Sequence, residues 1–347
     1  MARVHRALGL AFWLLVLACL VQVPAFLRPY QLDHGTLAAV YALAAIGLTL
    51  LTGYAGQLSL GQGAFVALGA YGYGLLSTKA DLPVGAAIVL ALLLTVVAAY
   101  VVGWPLLRLR GPYLAMGTLA TAIIVYGLLV NLQPLTGGAI GLLRIPPLEI
   151  GGHEFRQADL FRAAWALVLV ALLLTRNLVH SRLGLALRAL GADEVGAEGV
   201  GVPASSYRLH VFALSAALAG MAGVLYALHW RYLSPDTFGA QLSVFLVLVV
   251  AVGGLRNVTG AVVGTIAVHL LTVWLQDLGT QSWLPARMPV VLSTTVYGGL
   301  IALVMKFMPD GLLPALGHYL GKLAHGLAGL LPRPAEGAAT PSPPPRV

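Results

Sequence analysis

Apolar runs of bilayer-crossing length recur along this 347-residue chain, and the short segments between them carry most of its charge. A bilayer core takes roughly 20 helical residues to cross. Runs such as Leu82–Trp104 reach that length without one charged side chain. Hydrophobic residues make up 59% of the chain and charged residues 9%, against about 25% charged in soluble domains. No soluble fold of this size hides that much apolar surface from water. The 41 Gly and 20 Pro exclude a coiled coil and follow no collagen period. What remains is an all-α polytopic membrane protein.

Ten candidate spans follow: Ala7–Phe26, Thr36–Leu51, Ala64–Thr78, Leu82–Trp104, Tyr113–Asn131, Leu160–Thr175, Leu209–Leu228, Leu242–Leu255, Val258–Leu275 and Pro289–Met308. The first follows Arg3 and Arg6 as a signal peptide would. Its full-crossing length, and the lack of a small-x-small cleavage site before Arg28, make it a membrane helix instead. With the N-terminus inside, 13 of the 20 Lys and Arg fall on the cytoplasmic side and 7 outside. The positive-inside rule then predicts an N-in, C-in topology. Ten spans allow a five-plus-five inverted repeat. The expected organisation is a transmembrane domain over 1–311 with a cytoplasmic loop at 176–208. An amphipathic interfacial helix follows over 312–331, with Leu316, Leu320, Leu323, Leu327 and Leu330 on one face. Residues 332–347 form a Pro-rich disordered tail.

The net charge of +8 does not point to nucleic acid, because the basic residues are scattered singly between apolar runs. Cys19 is the only cysteine, which excludes disulfides and thiolate metal sites.

Between the second and third spans runs Thr52-Gly-Tyr-Ala-Gly-Gln-Leu-Ser-Leu-Gly-Gln-Gly63. Gly53, Gly56, Gly61 and Gly63 together forfeit about 3–4 kcal/mol of helix propensity, so a break is expected here. It is either a plain cytoplasmic turn or irregular backbone at membrane depth, which survives only when buried in protein or lining a watery cavity. Tyr54, Gly56, Gln57, Ser59, Gly61 and Gln62 are the candidate translocation-path residues. A weaker echo runs from Gly253 to Gly260.

The longest charged segment, Arg176 to Arg208, predicts a helix over Leu183–Leu190 ended by a left-handed cap at Gly191. A second short helix starts at Asp193 and stops at Gly201. Glu194 and Glu198 share one of its faces, making an acidic knob suited to docking.

This stretch carries a resemblance. Ser181-Arg-Leu-Gly-Leu-Ala-Leu-Arg-Ala-Leu, then Asp193-Glu194, Ala197-Glu198 and Gly201-Val202, resemble the loop of the branched-chain amino acid ABC permeases of the LivM type. Leu51–Gly61, Leu109–Tyr113, Leu135–Gly138, Ile145–Pro147, Ser215–Tyr226, Ser234–Asp236, Gly253–Leu255 and Pro309–Gly311 fit the same pattern in order. The family more often has Ala at 196 and 199, and a polar residue after Gly138 where this chain has Ala139. The resemblance implies a permease subunit of a bacterial inner-membrane ABC importer. It implies two ATPase subunits, a second homologous permease, an extracytoplasmic substrate-binding protein, and a branched-chain or other small substrate. The loop is then the coupling helix: Asp193, Glu194, Ala197, Glu198 and Gly201.

The remaining motifs are quiet. No phosphate-binding Gly-x-x-x-x-Gly-Lys-Ser/Thr occurs, so energy must come from another subunit. The nine histidines form no ligand cluster, and nothing predicts catalysis or a cofactor. An ion-coupled secondary transporter is the alternative reading, although the spans hold almost none of the carboxylates that such coupling uses. A membrane transferase would need acidic metal-binding loops, which the chain lacks.

Overall fold

The computed structural model describes residues 26–279 except Gly151, with isolated positions at 22, 24, 296, 299 and 306. Apart from those positions, the spans expected at Ala7–Phe26 and Pro289–Met308, the 312–331 helix and the 332–347 tail lie outside the described residues.

The other eight spans fall on helices. α1 (Pro29–Thr49) runs into a π-helical turn, Leu50–Tyr54. α2 (Gln62–Thr78), α3 (Val84–Leu106), α4 (Pro112–Asn131) and α5 (Gln157–His180) follow. Two loop helices, α6 (Arg182–Ala192) and α7 (Glu194–Gly199), precede α8 (Ala204–Trp230). α9 (Ala240–Gly253) and α10 (Val258–Gly279) complete the described chain. Several helices outrun their apolar stretches because polar end turns, such as Asp33–His34 before Thr36, are helical too. Among the described residues, seven segments are long and apolar enough to cross a membrane. The 17-residue α2 is not one of them.

α8 is the hub, packing on α1, α2 and α3, while α1 also meets α5, α9 and α10. Lipid tails are as apolar as leucine, so helices in a bilayer gain by close fit, which small side chains allow. A Cβ on Gly69 of α2 would stand 2.1 Å from the Gly220 carbonyl of α8. One on Gly223 would stand 1.9 Å from the Val66 carbonyl, so neither helix accepts a larger residue there. Burial follows this packing. In the most apolar 18 residues, 78% of α1 with its π turn and 72% of α8 are buried, against 22% of α3 and 28% of α4.

The bundle has two distinct ends. At one, α6 and α7 lie beside Tyr54 and Arg256. At the other, Leu142 and Leu233 exchange backbone hydrogen bonds of 2.9 and 3.0 Å. A two-residue hairpin, β1 (Glu149–Ile150) with β2 (His153–Glu154), lies at that end, tied to Arg231 through Glu154 at 2.9 Å.

Candidate functional site: a broken helix and the loop beneath it

The break between α1 and α2 is not a solvated turn. Gln57, Ser59 and Gln62 are buried, Thr52, Gly53, Tyr54 and Leu60 are half-buried, and Gly56 and Leu58 are exposed. Its cause also differs from the expected loss of helix propensity. Gly53 sits inside the π turn, where a Cβ would stand 1.6 Å from the Leu255 carbonyl. Gly63 belongs to the first turn of α2. The helix is ended by Gly56 alone, at φ +67°, while the Gln57 N–H reaches back to the Leu51 carbonyl at 3.1 Å. That is a left-handed helix cap. π turns of this kind cluster at functional sites.

From Gly56 the irregular chain climbs into the bundle. Leu60 N–H donates to Thr118 Oγ1 of α4 at 2.9 Å, and Gly61 N–H to Ser59 Oγ at 3.3 Å. The Gln62 amide, 1% exposed, donates to the Ala44 and Ser215 carbonyls at 3.3 Å and meets Ser215 Oγ at 3.2 Å, locking α2 between α1 and α8. Gly63 N–H donates to Ser243 Oγ of α9 at 2.9 Å. Gln57 Oε1 is buried without a hydrogen-bond partner.

A second irregular segment enters from the opposite end. The 3₁₀ turn Pro235–Phe238 leads into α9, with Pro235 and Phe238 buried. The Phe238 and Gly239 carbonyls lie against Gly63, 3.2 and 3.3 Å from where its Cβ would stand. The two breaks therefore meet inside the protein. Asp236 accepts a 2.8 Å hydrogen bond from Tyr126 of α4. Two cavities of about 320 and 420 Å³ share Asp236 and Gln241 in their walls. Thr118 of α4 thus meets the break itself. Ser243 carried no sequence signal, and Asp236 entered only through Ser234-Pro-Asp236.

The loop helices depart from expectation in two ways. Gly191 does not form a left-handed cap: α6 continues through it to Ala192, and the chain turns at Asp193, φ −150°. Its small size matters instead, because a Cβ there would stand 2.9 Å from the Tyr54 carbonyl. α7 begins at Glu194, after Asp193, and ends before Gly201, whose φ is +87°. Nor do its two glutamates serve one exposed knob. Glu194 pairs with Arg208 of α8 at 2.6 Å and stands 3.6 Å from Arg110, between α3 and α4. Ala197 is buried against Leu190 and Ala204. The exposed side chains are Val195 and Glu198 of α7 and Val200 just after it. A Cβ at Gly196 would meet only the Asp193 carboxylate tip, at 2.6 Å, which can move aside for the Ala that the family more often has.

The histidines in the bundle are packed groups. His229 Nε2 lies 3.3 Å from Asp33 Oδ1, and the His269 and His34 rings lie 5.5 Å apart. Among the described residues no cluster of His, Cys, Asp or Glu has metal-holding geometry.

A multi-pass helical membrane protein whose chain breaks at depth, and whose breaks meet in its interior, is built as a permease. The chain belongs to the family described as branched-chain amino acid transport system / permease component, whose model matches residues 32–305. It is 32% identical to the high-affinity branched-chain amino acid transport system permease protein LivM of Escherichia coli (strain K12), over 91% of this chain and 76% of that protein. It is 30% identical to the LivM protein of Salmonella typhimurium, over 87% of this chain and 74% of that one. The same Escherichia coli strain has a second permease protein of this system, LivH, 27% identical over 82% of this chain and 94% of its own length. No solved structure matches.

Proposed function

We propose that this chain is one of two homologous permeases in an inner-membrane ABC importer of branched-chain amino acids. Two ATPase subunits power it, and an extracytoplasmic binding protein supplies it. Ten spans with both termini inside put α6 and α7 in the cytoplasm and the β1–β2 hairpin outside. The relatives named as LivM and LivH permeases of one transport system support a pair of unlike permeases.

The observation that carries the path is the irregular chain from Gly56 to Gly61, in which Gln57, Ser59 and Gly61 are buried. Substrate passes along it toward the meeting point with Pro235–Gly239, on the side of α4 where Tyr126 meets Asp236. Polar groups such as Asp236, Gln241 and Tyr126 are costly against lipid, so this face lines the aqueous path shared with the second permease. Asp236 suits an α-ammonium group, and the unpartnered Gln57 Oε1 is a further acceptor. α3, whose exposed residues include Val89, Leu93, Leu94, Val97 and Val101, faces lipid.

Coupling runs through Glu194. The ATPase groove grips Val195 and Glu198 of α7 and Val200 just after it. Glu194 passes the movement to α4 through Arg110 and to α8 through Arg208, while Gly191 bears directly on the break at Tyr54.

The test is uptake of labelled leucine into proteoliposomes holding both permeases, the ATPases and the binding protein. Uptake that requires ATP, and that Gln57→Leu lowers at least ten-fold with the complex still assembled, is the expected result. Uptake driven by an ion gradient without the ATPases would make the chain a secondary transporter. Normal uptake by Gln57→Leu would move the path elsewhere.

A further inference from the structure

At the end bearing α6 and α7 lies a cavity of about 450 Å³. Three stretches distant in sequence close it. Tyr54 and Gly56 come from the break, His180, Arg188 and Gly191 from the loop helices and the end of α5, and Arg256 from the turn between α9 and α10. The Tyr54 hydroxyl donates to the Arg256 carbonyl at 2.7 Å and so holds the turn against the break.

The charge of this cavity is one-sided. Two guanidiniums and an imidazole line it, and no carboxylate does. The neighbouring Arg208 and Arg110 both have Glu194, but among the described residues neither Arg188 nor Arg256 has an acidic partner. Arg188 spends one N–H on the Val179 carbonyl at 3.3 Å. A guanidinium has five N–H groups in a planar fork that matches a carboxylate, so most of its donors remain to spend. A water molecule occupies about 30 Å³ in the liquid, so the space holds an amino acid with several waters.

We propose that this cavity is an anion site that takes the α-carboxylate of the amino acid as it leaves the path. The proposal rests on the reading of the chain as an amino-acid permease. Gly56 stands both at the start of the irregular chain and in the cavity wall, so a substrate descending along the break arrives here. Phosphate is the other anion of matching chemistry, and an anionic lipid headgroup is its source at a membrane surface. The walls belong to three elements that an ATP-driven movement of α6 and α7 would shift against one another. A bound carboxylate therefore favours the state in which they stand at this spacing.

The test is equilibrium binding of labelled leucine to the assembled complex without binding protein, in nanodiscs of phosphatidylcholine alone or with phosphatidylglycerol. Isocaproate keeps the carboxylate and lacks the amine; leucinamide keeps the amine and lacks the carboxylate. Leucine should bind in both nanodiscs, with isocaproate competing and leucinamide not. Arg188→Gln and Arg256→Gln should each weaken binding at least ten-fold, with Arg188→Lys recovering part of it in an equally assembled complex. Equal competition by leucinamide, or unchanged affinity in both glutamine variants, overturns the proposal. Retained phosphatidylglycerol that excludes leucine also overturns it and assigns the cavity to the headgroup. Isocaproate binding that both glutamine variants abolish, in a complex that imports no leucine, supports the site and overturns only the amino-acid reading.

Discussion

α8 and α3 are both apolar enough to cross a membrane, yet one is mostly buried and the other mostly bare. Hydrophobicity does not separate them. α3 is a run of Val, Leu and Ala with no charge, and most of its surface has no partner among the described residues. α8 carries Ser215, Gly220 and Gly223 in its buried face and holds α1, α2 and α3 around itself. In a bilayer a leucine gains little by leaving lipid for protein, so large apolar side chains do not mark the core. Small residues and satisfied polar groups do. The most apolar helix is thus the peripheral one.

This contrast can be broken most severely at the α2–α8 seam. Gly223→Leu drives a side chain into the Val66 carbonyl, and no monodisperse permease is expected by size-exclusion chromatography. On α3, Val97→Leu should leave stability within about 0.5 kcal/mol, as exposed substitutions do. Equal tolerance at both positions would dissolve the distinction between the helices.

A smaller loss is expected where a polar side chain does the holding. Gln62→Leu removes the donor to the Ala44 and Ser215 carbonyls and strands Ser215 Oγ in the interior. The cost is about 1–3 kcal/mol, read as a lower unfolding temperature in detergent. An unchanged unfolding temperature would show that the amide holds nothing together.

Function should respond without a change in assembly at Glu194. Glu194→Gln loosens the link to Arg110 and Arg208, and the ATP hydrolysed per leucine imported should rise several-fold. Glu198→Gln leaves that internal link intact and should change the ratio less. The opposite order would place coupling in the exposed Glu198 and not in the internal link made by Glu194.

The mildest test separates the two exposed helices, α3 and α4. In a Cys19→Ser background, a cysteine at Ile123 of α4, labelled with benzophenone maleimide, should photo-cross-link to the second permease. One at Val97 of α3 should not, and neither change should alter stability. Cross-linking from Val97 alone would exchange the lipid-facing and partner-facing sides.

How far these features are legible in the chain varies with how local their cause is. The break was visible because Gly and polar residues interrupt an apolar run. Its path was not, since that depends on Thr118, Ser243 and Ser215, residues 58, 180 and 153 positions from their partners. The two loop helices were visible from the run Leu183–Leu190, from Asp193 and from Gly201. Which glutamate pairs inward was not, because Arg110 and Arg208 approach from other helices. Gly191 was read as a cap from its place after an apolar run, whereas the tertiary reason for it is the Tyr54 carbonyl.

By itself, the sequence determined that this protein lives in a bilayer, where its helices lie along the chain, and where they are interrupted. Length, charge and glycine act within a few residues, so a linear reading captures them. Only the tertiary structure decided which helices form the centre, where the broken chain leads, and which charges are already paired. Protein interior and lipid are equally apolar surroundings for a leucine, so a hydropathy pattern carries no information about what lies beside it.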